Sequence, residues 1–224
     1  MTLARRVAAE FGGALVLTAV VIGSGVMGVR MADGNAAIAL LANTLATAAI
    51  LFVLITALAP VSGAHFNPAV TLVFALKREL AWGDALAFVL AQIAGCVAGV
   101  VLAHVMFELP LLQTATNVRE GPSQWLSEGA ATFALVACIL LVSRARPNAV
   151  AAAVALTIAA GYWWTASTSF ANPAITIARA LSDTFAGIRP EDAPAFIVAQ
   201  LIGALAALTA CGWLYPPARA GASS

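Results

Sequence analysis

The chain has 224 residues, of which 62% are hydrophobic and 9% charged, and its mean hydropathy is +0.96. Soluble domains average about 45–50% apolar and about 25% charged residues, so this surface suits lipid rather than water. A formal charge of +1 gives no electrostatic case for nucleic acid, and two histidines with three scattered cysteines (Cys96, Cys138, Cys211) give neither a metal site nor a disulfide framework.

Arg5 and Arg6 precede the first apolar run and imitate a signal peptide. Glu10 interrupts that run, which continues to about Gly28, too long for a signal core, so it reads as a first span over 7–29. A second span follows over 36–59. Next comes Asn67-Pro68-Ala69, opening an apolar piece, 67–76, too short to cross. Further spans are predicted over 85–107, 124–143, 149–168 and 193–214. Between the last two lies a second short piece, 172–181, opening Asn172-Pro173-Ala174.

The order exposes a repeat. Asn67-Pro68-Ala69-Val70-Thr71 matches Asn172-Pro173-Ala174-Ile175-Thr176; Ala91-Gln92 with Gly95 matches Ala199-Gln200 with Gly203; and Glu10 matches Glu128. Each half holds three spans and one short piece. Three is odd, so the halves, about 1–110 and 120–218 of a single domain (1–224), are predicted to be inverted. The expected architecture is all-α: six transmembrane helices plus two re-entrant half-helices.

Counting Lys and Arg places the N-terminus inside. That side collects Arg5, Arg6, Lys77, Arg78, Arg144, Arg146 and Arg219, against Arg30, Arg119, Arg179 and Arg189 outside. Trp82, Trp163, Trp164, Trp213 and Tyr215 fall near span ends, as interface anchors do, although Trp163 and Trp164 are also candidates for the outer mouth. The chain reads as a multi-pass protein of the cell (inner) membrane with both termini cytoplasmic.

Proline is tolerated at the first helical position and asparagine is a strong N-cap, so each Asn-Pro-Ala reads as a helix start. Each short helix enters the membrane, starts near mid-depth and returns to its own side; such backbone is tolerated only where protein buries it or it lines a wet cavity. Inversion brings both starts together, with their positive dipole ends aimed at one place. Each Asn oxygen caps its own helix, leaving both NH2 groups to donate to a permeant oxygen while cations and protons meet a barrier. That describes a passive conduit for small neutral polar molecules.

At these residues the chain resembles the aquaporin and glycerol-facilitator (major intrinsic protein) family. Ser62-Gly63-Ala64-His65-Phe66-Asn67-Pro68-Ala69-Val70-Thr71 is similar to that family's first signature, and Phe170-Ala171-Asn172-Pro173-Ala174 to its second. The resemblance implies a homotetramer with one pore per subunit in the bilayer, with water and small neutral solutes as partners and no cofactor. It departs in one place: the family's filter arginine, directly after the second Asn-Pro-Ala, is Ile175 here. Counting from the motifs puts the filter at Thr47, Ala160, Ser169 and Ile175, which carry neither aromatic ring nor charge, so the constriction should be wide. Such a pore is expected to pass bulkier neutral solutes and to leak protons more than its relatives. Bacterial relatives without the filter arginine are associated with arsenic handling, which makes arsenicals a candidate cargo by resemblance.

Arg179 lies one turn past Ile175 and has two readings: a charge that swings to the outer mouth, or a solvated headgroup-level residue. Glu10 and Glu128 are assigned by resemblance to holding the re-entrant loops, with a proton relay as the alternative, and His65 to a loop-supporting role or a pH gate. His104 reads as a packing residue, Gln92 and Gln200 as interhelical hydrogen-bond groups, and Gly95/Gly99 as a close helix crossing. Inverted repeats also suit an ion-coupled secondary transporter, the alternative, but the ionisable groups are scattered. No nucleophile–base pair is evident, so an enzyme is not expected.

Overall fold

The computed structural model describes residues 1–215, so Arg219 and the end of the second repeat, near 218, lie outside the described residues. In order, the elements are α1 (Leu3–Met31), α2 (Ala36–Ser62), α3 (Pro68–Leu76), α4 (Trp82–Met106), α5 (Pro122–Ala145), a 3-10 turn (Pro147–Ala149), α6 (Val150–Trp164), α7 (Pro173–Arg179) and α8 (Ala193–Leu214). The described residues contain no strand, which agrees with the all-α membrane expectation. Lipid offers the backbone no hydrogen bonds, so apolar runs satisfy theirs internally as helices.

Five helices, α1, α2, α4, α5 and α8, are long and apolar enough to cross a membrane. The predicted span 149–168 is realised differently. Its helix α6 stops at Trp164, because Thr165 turns extended (φ −113°, ψ 140°), and has only 15 residues. At 1.5 Å per residue it covers roughly 22 Å, and the preceding 3-10 turn adds roughly 6 Å, approaching the ~30 Å hydrocarbon core. Leu86, Leu90, Leu126, Leu156 and Ile202 are exposed, a surface for acyl chains.

Glycines set the closest helix crossing. A Cβ at Gly95 or Gly99 in α4 would strike the backbone oxygens of Phe11 and Leu15 in α1. In the second half Gly203 of α8 packs in the same way on Gly129 of α5. Helices α1 and α4 run parallel: Arg6 pairs with Asp84 at their starts (2.7 Å), and Arg30 donates to Phe107 O at their ends (3.0 Å).

This fixes the directions of the two short helices. Helix α3 ends only a few residues before α4 begins. Ser182, just past α7, instead meets His104 near the end of α4 (2.8 Å). The two half-helices therefore leave the centre towards opposite ends of the bundle, called below the α3 mouth and the α7 mouth.

Candidate pore and its constriction

Each half-helix starts as its sequence dictates. Asn67 (φ −154°) and Asn172 (φ −153°) are extended N-caps with proline at the next position. Asn67 Oδ1 accepts from Ala69 N at 2.9 Å; Asn172 Oδ1 accepts from Ala174 N at 3.0 Å and Ile175 N at 3.3 Å. Their amide groups are not wholly free, which corrects the expectation. Asn67 Nδ2 donates to Ala171 O (2.7 Å) and Asn172 Nδ2 donates to Phe66 O (2.8 Å). This reciprocal bond joins the two loops, and each NH2 has two donors, so one N–H per asparagine remains for a permeant.

The loops before these caps are strained alike. Gly63, Ala64 and Phe66 have φ of 94°, 52° and 48°; their counterparts Thr168, Ser169 and Ala171 have 63°, 54° and 47°. Only glycine adopts that region without penalty, so each loop needs an outside hold.

Two buried carboxylates supply it. Glu10 accepts from Ser62 Oγ (2.6 Å), His65 N (3.0 Å), Phe66 N (2.7 Å) and Gln92 Nε2 (2.8 Å). Glu128 accepts from Ser167 Oγ (2.6 Å), Phe170 N (2.9 Å), Ala171 N (2.9 Å) and Gln200 Nε2 (2.6 Å). Both are fully buried. A carboxylate is tolerated there because four donors replace its water, each charge-assisted bond contributing about 1.5–3 kcal/mol. Gln92 and Gln200 also donate to Thr71 and Thr176 (2.9 Å each), tying the half-helices to α4 and α8.

A cavity of about 210 Å³ runs past these groups. Its wall is mostly apolar, from Leu17 and Val21 in α1, Leu51 and Ile55 in α2, Leu135 and Ile139 in α5, and Val150, Val154 and Ile158 in α6. Asn67 and Asn172 open into it, as do Thr47, Ser169 and Ile175. Pro68, Ala69, Pro173 and Ala174 are buried behind them.

Ala160 does not line the cavity. It is exposed on the far face of α6, and the counted filter position is corrected. The cavity face of α6 repeats every four residues through Val150, Val154, Ile158 and Tyr162. Gly161, not Ala160, sits against Ser169, where a Cβ would lie 2.5 Å from Oγ. Tyr162 reaches across, its hydroxyl donating to Thr47 Oγ1 at 3.2 Å. An aromatic ring therefore stands in the cavity wall beside Thr47, although none of the four counted positions carries one. Trp163 and Trp164 are about half exposed and outside the cavity wall.

Arg179 also lines the cavity. It is 2% exposed, which removes the solvated reading. Its guanidinium lies 3.2 Å from the centroid of Phe170, and its Nε donates to Ala186 O. Arg119 stands over the same ring at 4.9 Å, with Nε on Gly187 O (2.9 Å) and Nη1 on Ser167 O (3.1 Å). Burial pulls the Arg119 guanidinium below its ordinary range, against the opposing field of Glu128.

At the α3 mouth, His65 lines the cavity and packs on Phe74 (4.7 Å) and Phe88 (5.7 Å), with Nδ1 3.1 Å from Thr71 Oγ1. His104 is away from the cavity: its nitrogens meet Leu111 O (2.9 Å) and Ser182 Oγ (2.8 Å), pinning the loop after α7. Among the described residues no cluster of three His, Cys, Asp or Glu side chains has metal-holding geometry.

Comparison with known proteins agrees with this geometry. A sequence profile described as major intrinsic protein matches residues 1–149 and again 141–223. The chain is 55% identical over 217 residues to the aquaglyceroporin AqpS of Rhizobium meliloti (strain 1021), covering 97% of this chain and 93% of that protein. It is 36% identical over 90 residues to a glycerol uptake facilitator protein of Streptococcus pneumoniae, covering 35% of this chain and 38% of that protein. In fold it is similar to the X-ray structure of the aquaglyceroporin from Plasmodium falciparum, with a TM-score of 0.71, 15% sequence identity and 95% of each chain covered.

Proposed function

This chain belongs to the major intrinsic protein family, a family of membrane channels rather than enzymes, and on that premise we propose that it passively conducts water and small neutral polar solutes of the glycerol kind. The observation that carries the reading is the cavity itself. Its walls are mostly apolar, and Asn67 and Asn172 both line it with one unspent N–H each. A polyol slides its carbon face along the apolar wall and presents its oxygens to those donors. Thr47, Ser169 and Ile175, with Gly161 behind Ser169, leave room beside Tyr162 for a solute larger than water.

Neutral metalloid acids, arsenicals included, share that size and hydroxylated chemistry and are a second cargo to screen. Glu10, Glu128 and His65 support the loops rather than handle solute. The chain is proposed to sit in the cell (inner) membrane as a homotetramer, with both termini cytoplasmic and the α7 mouth outward.

Stopped-flow light scattering on reconstituted vesicles tests the reading. Fast water and glycerol flux without any ion gradient is the expected result. Glycerol uptake that requires a sodium or proton gradient would instead favour the ion-coupled transporter.

A further inference from the structure

Ile175 leaves the constriction without a cation at the place directly after the second Asn-Pro-Ala, yet a cation is present in the cavity wall. Resting on the channel reading above, we propose that Arg179 supplies the positive charge of the constriction, delivering its guanidinium from one helical turn further along α7.

Residues four apart share a helix face, and helical side chains lean back towards the helix start. A long side chain rooted at position 179 therefore extends over the turn that holds Ile175. Its observed contact agrees: the guanidinium stacks 3.2 Å from the centroid of Phe170, which precedes Asn172 in the chain. The ring and the Nε bond to Ala186 O hold the group in place rather than leaving it to swing.

Its charge is unspent. Among the described residues no carboxylate pairs with Arg179, and Nε is its sole nitrogen with a protein acceptor, leaving the Nη groups for a solute. Arg119 is a poorer candidate, because Gly187 O and Ser167 O already occupy two of its three nitrogens and it is not among the residues lining the cavity.

The opposite mouth shows that the position is available. Phe74 is the repeat counterpart of Arg179 and also lines the cavity, packing on His65, the counterpart of Phe170. Both halves place a ring against a cation-bearing or ionisable side chain here, in reversed order. The solutes this favours are uncharged and offer an oxygen lone pair to the Nη groups, whereas cations and hydronium are repelled.

The test uses wild type, Arg179→Leu, Arg179→Gln, Arg179→Lys and the double variant Ile175→Arg/Arg179→Leu in vesicles, each read for water flux and for proton leak by an entrapped pH dye. Arg179→Leu and Arg179→Gln are expected to raise the ratio of proton leak to water flux about tenfold. Arg179→Lys should stay tight, and the double variant should become tight again. Conducting Leu and Gln variants with wild-type leak would overturn the proposal. So would failure of both to assemble, which would mark Arg179 as a structural brace. Wild-type vesicles without water flux would fail the channel reading itself, separately from this inference.

Discussion

Behind the half-helices the two ends of the molecule are near copies; in front of them they are not. Glu10 and Glu128 accept the same four kinds of donor, and both loops carry three matching left-handed residues. At cavity-facing positions the pairs diverge: His65 against Phe170, Phe66 against Ala171, Val70 against Ile175, Phe74 against Arg179. The space behind adjusts with them. Phe66 lies against Gly13, where any Cβ would strike its ring, while the corresponding residues of the second half are the small pair Ala171 and Ala131. A strained loop in lipid has few ways to satisfy its backbone, so the scaffold repeats. The side chains facing the cavity carry no such obligation.

The largest effects should come from breaking the shared scaffold. Glu10→Gln and Glu128→Gln each place an amide amid donors and leave buried N–H groups short of acceptors, costing about 3 kcal/mol or more. Equal loss of thermal stability in detergent is expected; tolerance of one variant would break the equivalence of the halves. Next are Asn67→Ala and Asn172→Ala. Losing a cap at about 1 kcal/mol and the cross-loop bond at about 1 kcal/mol should lower stability by about 2 kcal/mol in either half, read from unfolding midpoints.

Gly161→Ala sharpens the comparison at the α7 mouth alone. Its Cβ would lie 2.7 Å from Ser169 Cβ, so overpacking of about 1–3 kcal/mol and a fall in glycerol flux are expected. The smallest effect is a pH response confined to the loop at that mouth. Hydrogen bonds from Thr116 N and its hydroxyl hold Asp183 below its ordinary value of 3.8. Asp192 is also lowered: burial raises it, but bonds from Arg189 and Arg119 N outweigh burial. A depressed carboxylate contributes above its unfolded value, and that contribution is lost as pH falls through the folded value. Protection of the Thr116 and Arg119 amides, taken as the observed exchange rate relative to the intrinsic rate at each pH, should therefore fall as pH drops below about 4, with no matching change at the α3 mouth.

The spans, the two half-helices and their asparagine caps were legible because each depends on local pattern: apolar run length, proline at the first helical position, asparagine before it. The repeat was legible because its motifs recur at nearly constant spacing. The residues lining the cavity were legible only in part. Counting back from Asn172 crosses the irregular stretch 165–171, where no helical register applies, and it reached Ala160 instead of Gly161 and Tyr162. The four-residue apolar rhythm Val154, Ile158, Tyr162 was the available signal. The second bond of each asparagine joins residues more than a hundred positions apart, which no local pattern encodes. The packing of Arg179 on Phe170 is equally a product of the loop's path.

The most direct test of the account is the ratio of glycerol to water permeability in wild type and Ile175→Arg, measured by stopped-flow light scattering on the same vesicle preparations. The wild type is predicted to conduct both, and Ile175→Arg to lose glycerol flux severalfold more than water flux, because a guanidinium fills space that Ile175 leaves open beside Ser169 and Tyr162. Equal loss of both fluxes, or no change in the ratio, would contradict the claim that Ile175 walls the narrow part of the channel.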